Sequence, residues 1–203
     1  MDGVGYGKYP EGDAVASASK PTLDWLHTNA PNIRLKAHGS AVGMPTEDDM
    51  GNSEIGHNAI GCGRVFAQGA TLVNEAINDG AIFDGTTWAE LTQHCVSNNS
   101  TLHFIGLLSD GNVHSHIRHL FSMLDGAAKS GVRSIRLHTL LDGRDVSETS
   151  ALEYIEPLEE RLAALNVDGL DCRIASGGGR MHITMDRYGA DWAMVERGWN
   201  THV

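Results

Sequence analysis

The sequence has little of three things: cysteine, positive charge and long apolar runs. The few cysteines are far apart and lack a Cys-x-x-Cys spacing, which argues against a disulfide framework and for a reducing compartment. Fifteen Lys and Arg against 26 Asp and Glu give a net charge of −11, which argues against nucleic-acid or membrane partners. Without a signal sequence or an apolar run of about 18 residues, we expect a cytoplasmic protein. We expect Cys62, Cys95 and Cys172 to be buried apolar residues.

Beyond residue 100, one pattern occurs three times: an apolar, strand-like run, a polar break, and an amphipathic segment. The three runs span residues 101–108, 132–141 and 171–175. Strands that alternate with helices favour parallel pairing, because each helix carries the chain back across the sheet. The sequence therefore predicts an α/β fold with a mainly parallel sheet. The three polar breaks should meet at one sheet edge, where ligands bind in such folds.

Two helices between these runs are predicted from the spacing of their apolar residues. Their apolar stripes span residues 117–128 and 152–165. Ser150 and Glu153 have the spacing of a capping box at the start of the second helix. Pro157 lacks a backbone N–H, so we expect it to kink or shorten that helix.

Further helices are predicted on both sides of these elements. Residues 188–199, with Tyr188, Trp192, Val195 and Trp199 at helical spacing, form one of them, and Gly198 is its candidate C-cap. Residues 21–26 predict a helix near the N-terminus, and residues 68–100 predict a helical connection. We place a domain boundary near residue 68, where the loop-rich N-terminal part ends.

The three polar breaks carry side chains suited to an anion. A guanidinium group matches two phosphate oxygens at once and stays charged. Each break taken alone is also compatible with an ordinary turn in which Asp and Gly serve only the geometry. Taken together, the breaks predict an anion pocket. Its candidate residues are Asp110, His114, Arg144, Asp145, Arg180 and Arg187.

A serine lies where the chain enters another predicted helix, in the stretch "GNSEIGHN" at residues 51–58. Asn52 or Ser53 can be a simple N-cap there. A helix N-terminus stabilises an anion by roughly 0.3–1 kcal/mol. A bound divalent metal lowers the pKa of a ligated hydroxyl by about 8 units, on the order of 11 kcal/mol. A nucleophilic Ser53 therefore needs a metal, and Asp2 is the best local ligand, unless it only forms an Asp-Gly turn.

The run "HSHIRH" brings three histidines close together, His114, His116 and His119. Imidazoles at such spacing are compatible with a zinc site, but no fourth ligand at structural spacing is evident. His116 and His119 also suit the surface of a helix. Both interpretations remain open from the sequence.

Four long motifs occupy residues 35–73, 107–120, 140–156 and 175–199. In this order along the chain, they resemble the cofactor-independent phosphoglycerate mutases of plants and trypanosomatids. The family interconverts 3- and 2-phosphoglycerate in glycolysis and gluconeogenesis, with two divalent metal ions, often manganese, and without 2,3-bisphosphoglycerate. Its members are usually monomeric.

The resemblance implies a division of the chain and a role for each matching residue. Residues 1–67 would belong to an alkaline-phosphatase-like domain, and residues 68–203 to a three-layer α/β phosphotransferase domain. Ser53 would be transiently phosphorylated and would ligate a metal ion together with Asp2. The substrate would be bound by His114, Arg144, Asp145, Arg180 and Arg187.

The sequence also departs from the family. Family members have an apolar strand before the aspartate that corresponds to Asp2, and they continue far beyond the motifs matched here, with the remaining metal ligands. We therefore expect this chain to correspond to an N-terminal portion with an incomplete metal site. The alternative is an inactive fragment or a weak phosphate-binding α/β module. A smaller departure is Asn112, where the family has glycine.

Overall fold

Three parallel strands and a set of helices make up the part of the chain that the structure, a computed structural model, describes: residues 4–185, 189 and 191–203. Asp2, Arg187 and Tyr188 lie outside the described residues. The strands are β1 (Leu102–Leu108), β2 (Ser134–Leu141) and β3 (Asp171–Gly179). The helices are α1 (Ala14–Ser17), α2 (Pro21–Asn29), α3 (Ser53–Cys62), α4 (Gly69–Asn78), α5 (Ala81–Asp84), α6 (Thr86–Asn98), α7 (Ile117–Lys129), α8 (Ala151–Leu165), α9 (Arg180–Ile183) and α10 (Trp192–His202), with short 3-10 helices at Pro10–Gly12 and Gly39–Val42.

The sheet has the order β1-β2-β3, and both pairings are parallel. This confirms the predicted α/β class and the predicted parallel sheet. One face of the sheet packs on α7 and α8, where Ile135, Leu137, Leu124 and Leu158 are almost completely buried. Because all three strands point the same way, their carboxyl ends lie together at one edge, which positions the polar breaks side by side.

Strand β3 is longer than predicted, because it continues through the glycines that were assigned to a break. A Cβ on Gly177 would lie 2.5 Å from the Thr139 hydroxyl oxygen and 2.9 Å from the Thr139 carbonyl oxygen. The glycine therefore allows a close approach of β3 to β2, rather than making a turn. A register irregularity between Leu137 and His138 accompanies this approach.

Helix α8 bears on two predictions. Pro157 lies inside it and does not shorten it, since the helix runs on to Leu165, while the predicted kink stays a prediction. Pro157 and Glu153, whose carbonyl group loses its partner, are both exposed, so that carbonyl group can be hydrated, while Tyr154 and Leu158 are buried and anchor the helix. The predicted capping box is absent, because the Ser150 hydroxyl donates to the Ser147 carbonyl oxygen at 2.7 Å instead of capping the helix.

The prediction that Gly198 is a C-cap is wrong, because Gly198 is an interior residue of α10. Its position is set by packing, since a Cβ there would lie 2.1 Å from the Ile183 carbonyl oxygen of α9. The spacing of Trp192, Val195 and Trp199 correctly predicted a helix. The sequence cannot, however, distinguish a glycine that ends a helix from one that allows a neighbouring element to approach closely. Gly198 therefore fixes how closely α10 lies on α9.

The second face of the sheet carries a chain of histidines that connects it to α10. His103 Nδ1 lies 2.9 Å from His138 Nε2, and His138 Nδ1 lies 2.6 Å from the Ser176 hydroxyl. The same hydroxyl lies 2.8 Å from His202 Nδ1 in α10. Burial and the neighbouring His103 and His202 lower the pKa of His138. Polar contacts, rather than an apolar interface, therefore hold this end of α10 on β3.

The cysteines are free thiols, and the prediction that all are buried is wrong for one of them. Cys95 and Cys172 are buried, whereas Cys62, the last residue of α3, is exposed. Burial raises the pKa of Cys172 to about 11, so its thiol is unreactive. Within the described residues, no helix combines the length and apolar character that a membrane span requires.

The Gly198→Ala substitution tests the close approach of α10 to α9. We expect it to lower the free energy of unfolding by about 1–3 kcal/mol, because the added methyl group forces the two helices apart. Gly61→Ala is the matched control in α3, where a Cβ meets open space. It should raise the free energy of unfolding by up to about 1 kcal/mol. Urea unfolding followed by circular dichroism measures both, and an unchanged Gly198→Ala stability contradicts the packing described above.

Candidate functional site

One buried carboxylate, that of Asp142, connects the ends of all three strands. It accepts a hydrogen bond from the Ser109 hydroxyl after β1 at 2.6 Å, and one from Arg180 Nη1 after β3 at 2.6 Å. Its Oδ1 also accepts from the backbone N–H groups of Arg144 at 3.2 Å and Asp145 at 3.0 Å, which shapes the loop after β2. Asp142 therefore joins the three predicted breaks into one site.

The Arg180 guanidinium lies between two carboxylates and is itself buried. Its Nη1 is 2.6 Å from Asp142 Oδ1 and 2.6 Å from Asp145 Oδ2, and its side chain is only 5% exposed. Burial works to lower the pKa of Arg180, but the hydrogen bonds to Asp145 and Asp142 outweigh it and hold that pKa above its ordinary value. Arg180 is therefore paired with Asp142 and Asp145 within the fold, and its predicted role in substrate binding stays a prediction.

The side chains of His114, Arg144 and Asp145 gather beside this ion pair. His114 Nε2 lies 3.8 Å from Asp145 Oδ2, and the His114 side chain is 55% exposed. Arg144 is exposed, and the described residues offer its guanidinium group no hydrogen-bond partner. The site therefore presents one open guanidinium and one imidazole to solvent. Arg187, the remaining predicted residue of the pocket, lies outside the described residues.

Asp110, also at this edge, is held by a tyrosine. The Tyr154 hydroxyl donates to Asp110 Oδ1 at 2.7 Å. Burial and the hydrogen bond to Asp110 raise the pKa of Tyr154 to about 12. A cavity of about 220 Å³ opens here, lined among others by Tyr154, Glu148 and His182. Asp142 also lines this cavity, whereas His114, Arg144 and Asp145 do not.

Ser53 is the first residue of α3, and its neighbour Asn52 is the N-cap. The Asn52 side chain accepts from the Ile55 N–H at 3.0 Å, so capping does not require the serine. His57 Nδ1 lies 3.2 Å from the Ser53 hydroxyl but 2.7 Å from the Ser53 carbonyl oxygen. A carbonyl oxygen only accepts, so Nδ1 carries the proton and is not the base that activates Ser53. The second predicted metal ligand, Asp2, lies outside the described residues.

The zinc alternative for the histidine run does not hold among the described residues, where no group of three or more His, Cys, Asp or Glu is arranged for a metal ion. His116 accepts from the Arg118 N–H at 3.1 Å as the N-cap of α7, and His119 Nε2 lies 2.5 Å from Asn74 Oδ1. Burial lowers the pKa of both histidines. Each of them therefore has a structural role.

Two residues of the site were missed from the sequence. Asp142 and Ser109 each follow directly after a strand, in the same polar breaks as the residues that were predicted. The available signal was position alone, since a polar residue at the carboxyl end of a parallel strand lies at the ligand-binding edge.

Comparison with known proteins identifies the family. The family model described as the BPG-independent PGAM N-terminus matches residues 73–203. A Leptospira interrogans protein named probable 2,3-bisphosphoglycerate-independent phosphoglycerate mutase is 57% identical over 100% of the chain and 37% of its own length. The mutase of Trypanosoma brucei is 50% identical over 100% of the chain and 37% of its own length. The chain belongs to the 2,3-bisphosphoglycerate-independent phosphoglycerate mutase family.

A solved mutase also matches in structure. The phosphoglycerate mutase of Leishmania mexicana, crystallised at low cobalt concentration, superposes with a TM-score of 0.86 at 50% identity. The match covers 98% of the chain and 37% of the Leishmania chain. The resemblance inferred from the four motifs is thus confirmed, and the chain spans a little over a third of the length of these mutases.

Replacing Asp142 tests whether its carboxylate holds the site together. We expect Asp142→Asn to lower the free energy of unfolding by about 3 kcal/mol, because Arg180 is left as a buried charge with one partner fewer. Asp171→Asn is the matched control, since Asp171 pairs with Arg136 at 2.7 Å but is 39% exposed, so its loss of stability should be much smaller than that of Asp142→Asn. Urea unfolding measures both variants, and equal losses contradict the central role of Asp142.

The acid sensitivity of the fold should depend on the same carboxylate. Burial works to raise the pKa of Asp142, but the hydrogen bonds from Ser109, Asp145, Arg180 and Arg144 outweigh it and hold the pKa below its ordinary value. A lowered pKa contributes stability at pH values above about 3.9, the value in the unfolded chain, and this contribution is lost as pH falls through the folded-state pKa.

We therefore expect the stability difference between the wild type and Asp142→Asn to be constant above about pH 5 and to shrink below about pH 4. Unfolding curves at a series of pH values from 7 down to about 2.5 measure this difference. A difference that stays constant down to the lowest pH contradicts the lowered pKa.

Proposed function

We propose that this chain contributes the nucleophilic serine and part of the substrate-binding surface of an enzyme that interconverts 3-phosphoglycerate and 2-phosphoglycerate. The carrying observation is the joining of the three loops by Asp142, which presents Arg144 and His114 at one edge. The names of its relatives supply the substrate class. Family membership favours this function over the alternative of a bare phosphate-binding module.

Substrate recognition is assigned to the open side chains of this edge. Arg144 offers a planar, permanently charged group that matches a phosphate or carboxylate with two N–H donors. Asp145 lies close enough to His114 to orient its imidazole, and Arg180 holds Asp145 in place. Arg187 completes the predicted set. With the glycerate held in this way after its phosphoryl group has left, it stays bound rather than being released.

Ser53 is proposed as the phosphoryl acceptor. The bond from the phosphorus to the first substrate oxygen breaks, the bond from the phosphorus to Ser53 Oγ forms, and the serine proton passes to the leaving oxygen. The glycerate then turns, its other hydroxyl takes the phosphoryl group back, and Ser53 regains a proton. The exposed N-terminal end of α3 leaves backbone N–H groups near this anion.

Activation of Ser53 requires more than the helix end, as the free energies compared above indicate. We propose two divalent ions, with manganese as the preferred metal, and Asp2 and Ser53 as ligands of one ion. A bound ion would supply the lowered hydroxyl pKa. The described residues do not by themselves form a metal site. The solved Leishmania mutase was crystallised with cobalt, which is compatible with a divalent metal, and the family name implies no bisphosphoglycerate cofactor.

The remaining expectations complete the proposal. Residues 1–67 would belong to the metal-binding, alkaline-phosphatase-like domain and residues 68–203 to the phosphotransferase domain. The enzyme would work as a monomer in the cytoplasm, in glycolysis and gluconeogenesis. The net charge of −11 gives it no general attraction to nucleic acid or to an anionic membrane.

The Ser53→Ala substitution tests the proposed nucleophile. In the protein at its full encoded length, assayed with 3-phosphoglycerate and Mn²⁺, kcat should fall on the order of 10³-fold or more, because no other hydroxyl takes the phosphoryl group. Ser97→Ala, at an exposed position of α6, is the control and should leave kcat unchanged.

Wild-type activity that survives in Ser53→Ala would remove Ser53 from the mechanism. If the wild-type protein at full encoded length shows no turnover with Mn²⁺, the proposed function itself is wrong. Assaying the 203-residue chain in parallel shows how much of the activity this portion supports.

A further inference from the structure

Asn112 forms a contact that the proposed mechanism does not use. Its backbone is in the left-handed region, with φ at 54°, where asparagine and glycine are the residues commonly found. Its side chain is nevertheless buried, and its amide nitrogen donates to Asp49 Oδ1 at 2.7 Å. Glycine would satisfy the backbone at this position equally well. The contribution of asparagine is therefore the side-chain contact to Asp49.

Asp49 organises the turn directly before the Ser53 helix. Its Oδ2 accepts from the Thr46 N–H at 2.7 Å and from the Thr46 hydroxyl at 2.9 Å, and its carbonyl accepts from the Gly39 N–H at 3.0 Å. Burial works to raise the pKa of Asp49, but the hydrogen bonds from Asn112 and Thr46 outweigh it, so the pKa is lowered and the carboxylate is charged at neutral pH.

Little freedom remains between Asp49 and the start of α3. The backbone of Gly51 packs so closely on Ala37 that a Cβ would lie 2.1 Å from the Ala37 carbonyl oxygen. The next residue, Asn52, is the N-cap of α3. Asp49 and Ser53, four positions apart, are therefore joined by a short and closely packed segment of the chain.

Among the described residues, the Asn112–Asp49 contact is the one side-chain hydrogen bond that joins residues 39–62 directly to residues beyond 100. Other connections between these parts pass through the start and middle of α4. Gln68 donates to the Val42 carbonyl at 2.9 Å, while Asn74 in α4 lies against His119 in α7. The α4 connection is one point of attachment, and Asn112 is a second. Two separated points of attachment fix an orientation, whereas one leaves a hinge.

We propose that Asn112 is a positioning residue, and that its hydrogen bond to Asp49 sets where Ser53 lies relative to the loop that carries His114. The contact forms a clasp between the serine-bearing part and the substrate-binding part of the chain. The catalytic consequence rests on the proposed function, but the clasp itself is a property of the fold. Neither Asn112 nor Asp49 is among the proposed substrate-binding residues, so we expect the clasp to act on the approach of Ser53 rather than on substrate binding.

Three variants isolate the side-chain contact in the 203-residue chain. Asn112→Gly removes only the side chain at a backbone conformation that glycine adopts freely. Asn112→Asp keeps the shape but places a second carboxylate against Asp49. The double variant Asp49→Asn with Asn112→Asp exchanges donor and acceptor and should restore the hydrogen bond. Asn99→Gly is the matched control, because Asn99 has φ at 50° and is exposed.

Amide hydrogen exchange measured by NMR gives the primary result. Asn112→Gly should speed exchange at the Thr46 and Ile55 N–H groups about tenfold, because a hydrogen bond to a charged group is lost and this segment opens more often. Asn112→Asp should speed exchange at these two amides further. In the double variant with donor and acceptor exchanged, the rates should return to within about threefold of wild type, and Asn99→Gly should leave the rates at both amides unchanged. Unchanged exchange in Asn112→Gly, or no recovery in the exchanged pair, overturns the clasp.

Kinetics in the protein at full encoded length separate positioning from mere stability. Asn112→Gly should lower kcat by about threefold or more and leave KM within about twofold of the wild-type value, since the substrate-binding side chains are unchanged. The exchanged pair should recover kcat. A change in KM alone overturns the positioning role. If the wild-type protein shows no turnover, the proposed function fails, and the exchange measurements still decide whether the clasp exists.

Discussion

The candidate site depends on one buried interaction, the pairing of the Asp142 carboxylate with the Arg180 guanidinium. A buried arginine is tolerated only when its charge is matched, and Asp142 and Asp145 together supply that match. The same carboxylate accepts from Ser109, so the three strand ends cannot move independently. The pairing also positions Arg144, whose backbone N–H donates to Asp142, and Asp145, which lies beside His114.

The sequence predicted those features that follow from local periodicity. Alternating strands and helices of the observed lengths imply the parallel sheet, and a parallel sheet brings the breaks with Arg144 and Asp145 to one edge. The site could be predicted because the loops that follow parallel strands all lie at the carboxyl edge of the sheet, and the charged residues of these loops therefore lie there too. The local sequence also placed Ser53 at the start of a helix. Of the two candidates for the N-cap, Asn52 and Ser53, the structure shows Asn52.

Features that depend on tertiary packing were not predicted. The side chain of Asp142 faces inward because Arg180 is there to receive it, and nothing local to the Leu140–Asp145 segment indicates that partner. Gly177 was assigned to a polar break and Gly198 to a helix C-cap, since the sequence shows a glycine that ends an element and one that allows a close approach in the same way. The contact of Asn112 with Asp49 spans 63 positions, a separation that no periodic pattern reveals.

We propose that the loops after β1, β2 and β3 form a single phosphoglycerate site held by Asp142. Titration of the ¹⁵N-labelled 203-residue chain with 3-phosphoglycerate, followed by amide chemical shifts, tests it most directly. The predicted result is that residues 109–115, 142–148 and 177–185 shift together and fit one dissociation constant. Shifts confined to one loop, or different constants for the three loops, would contradict a single site.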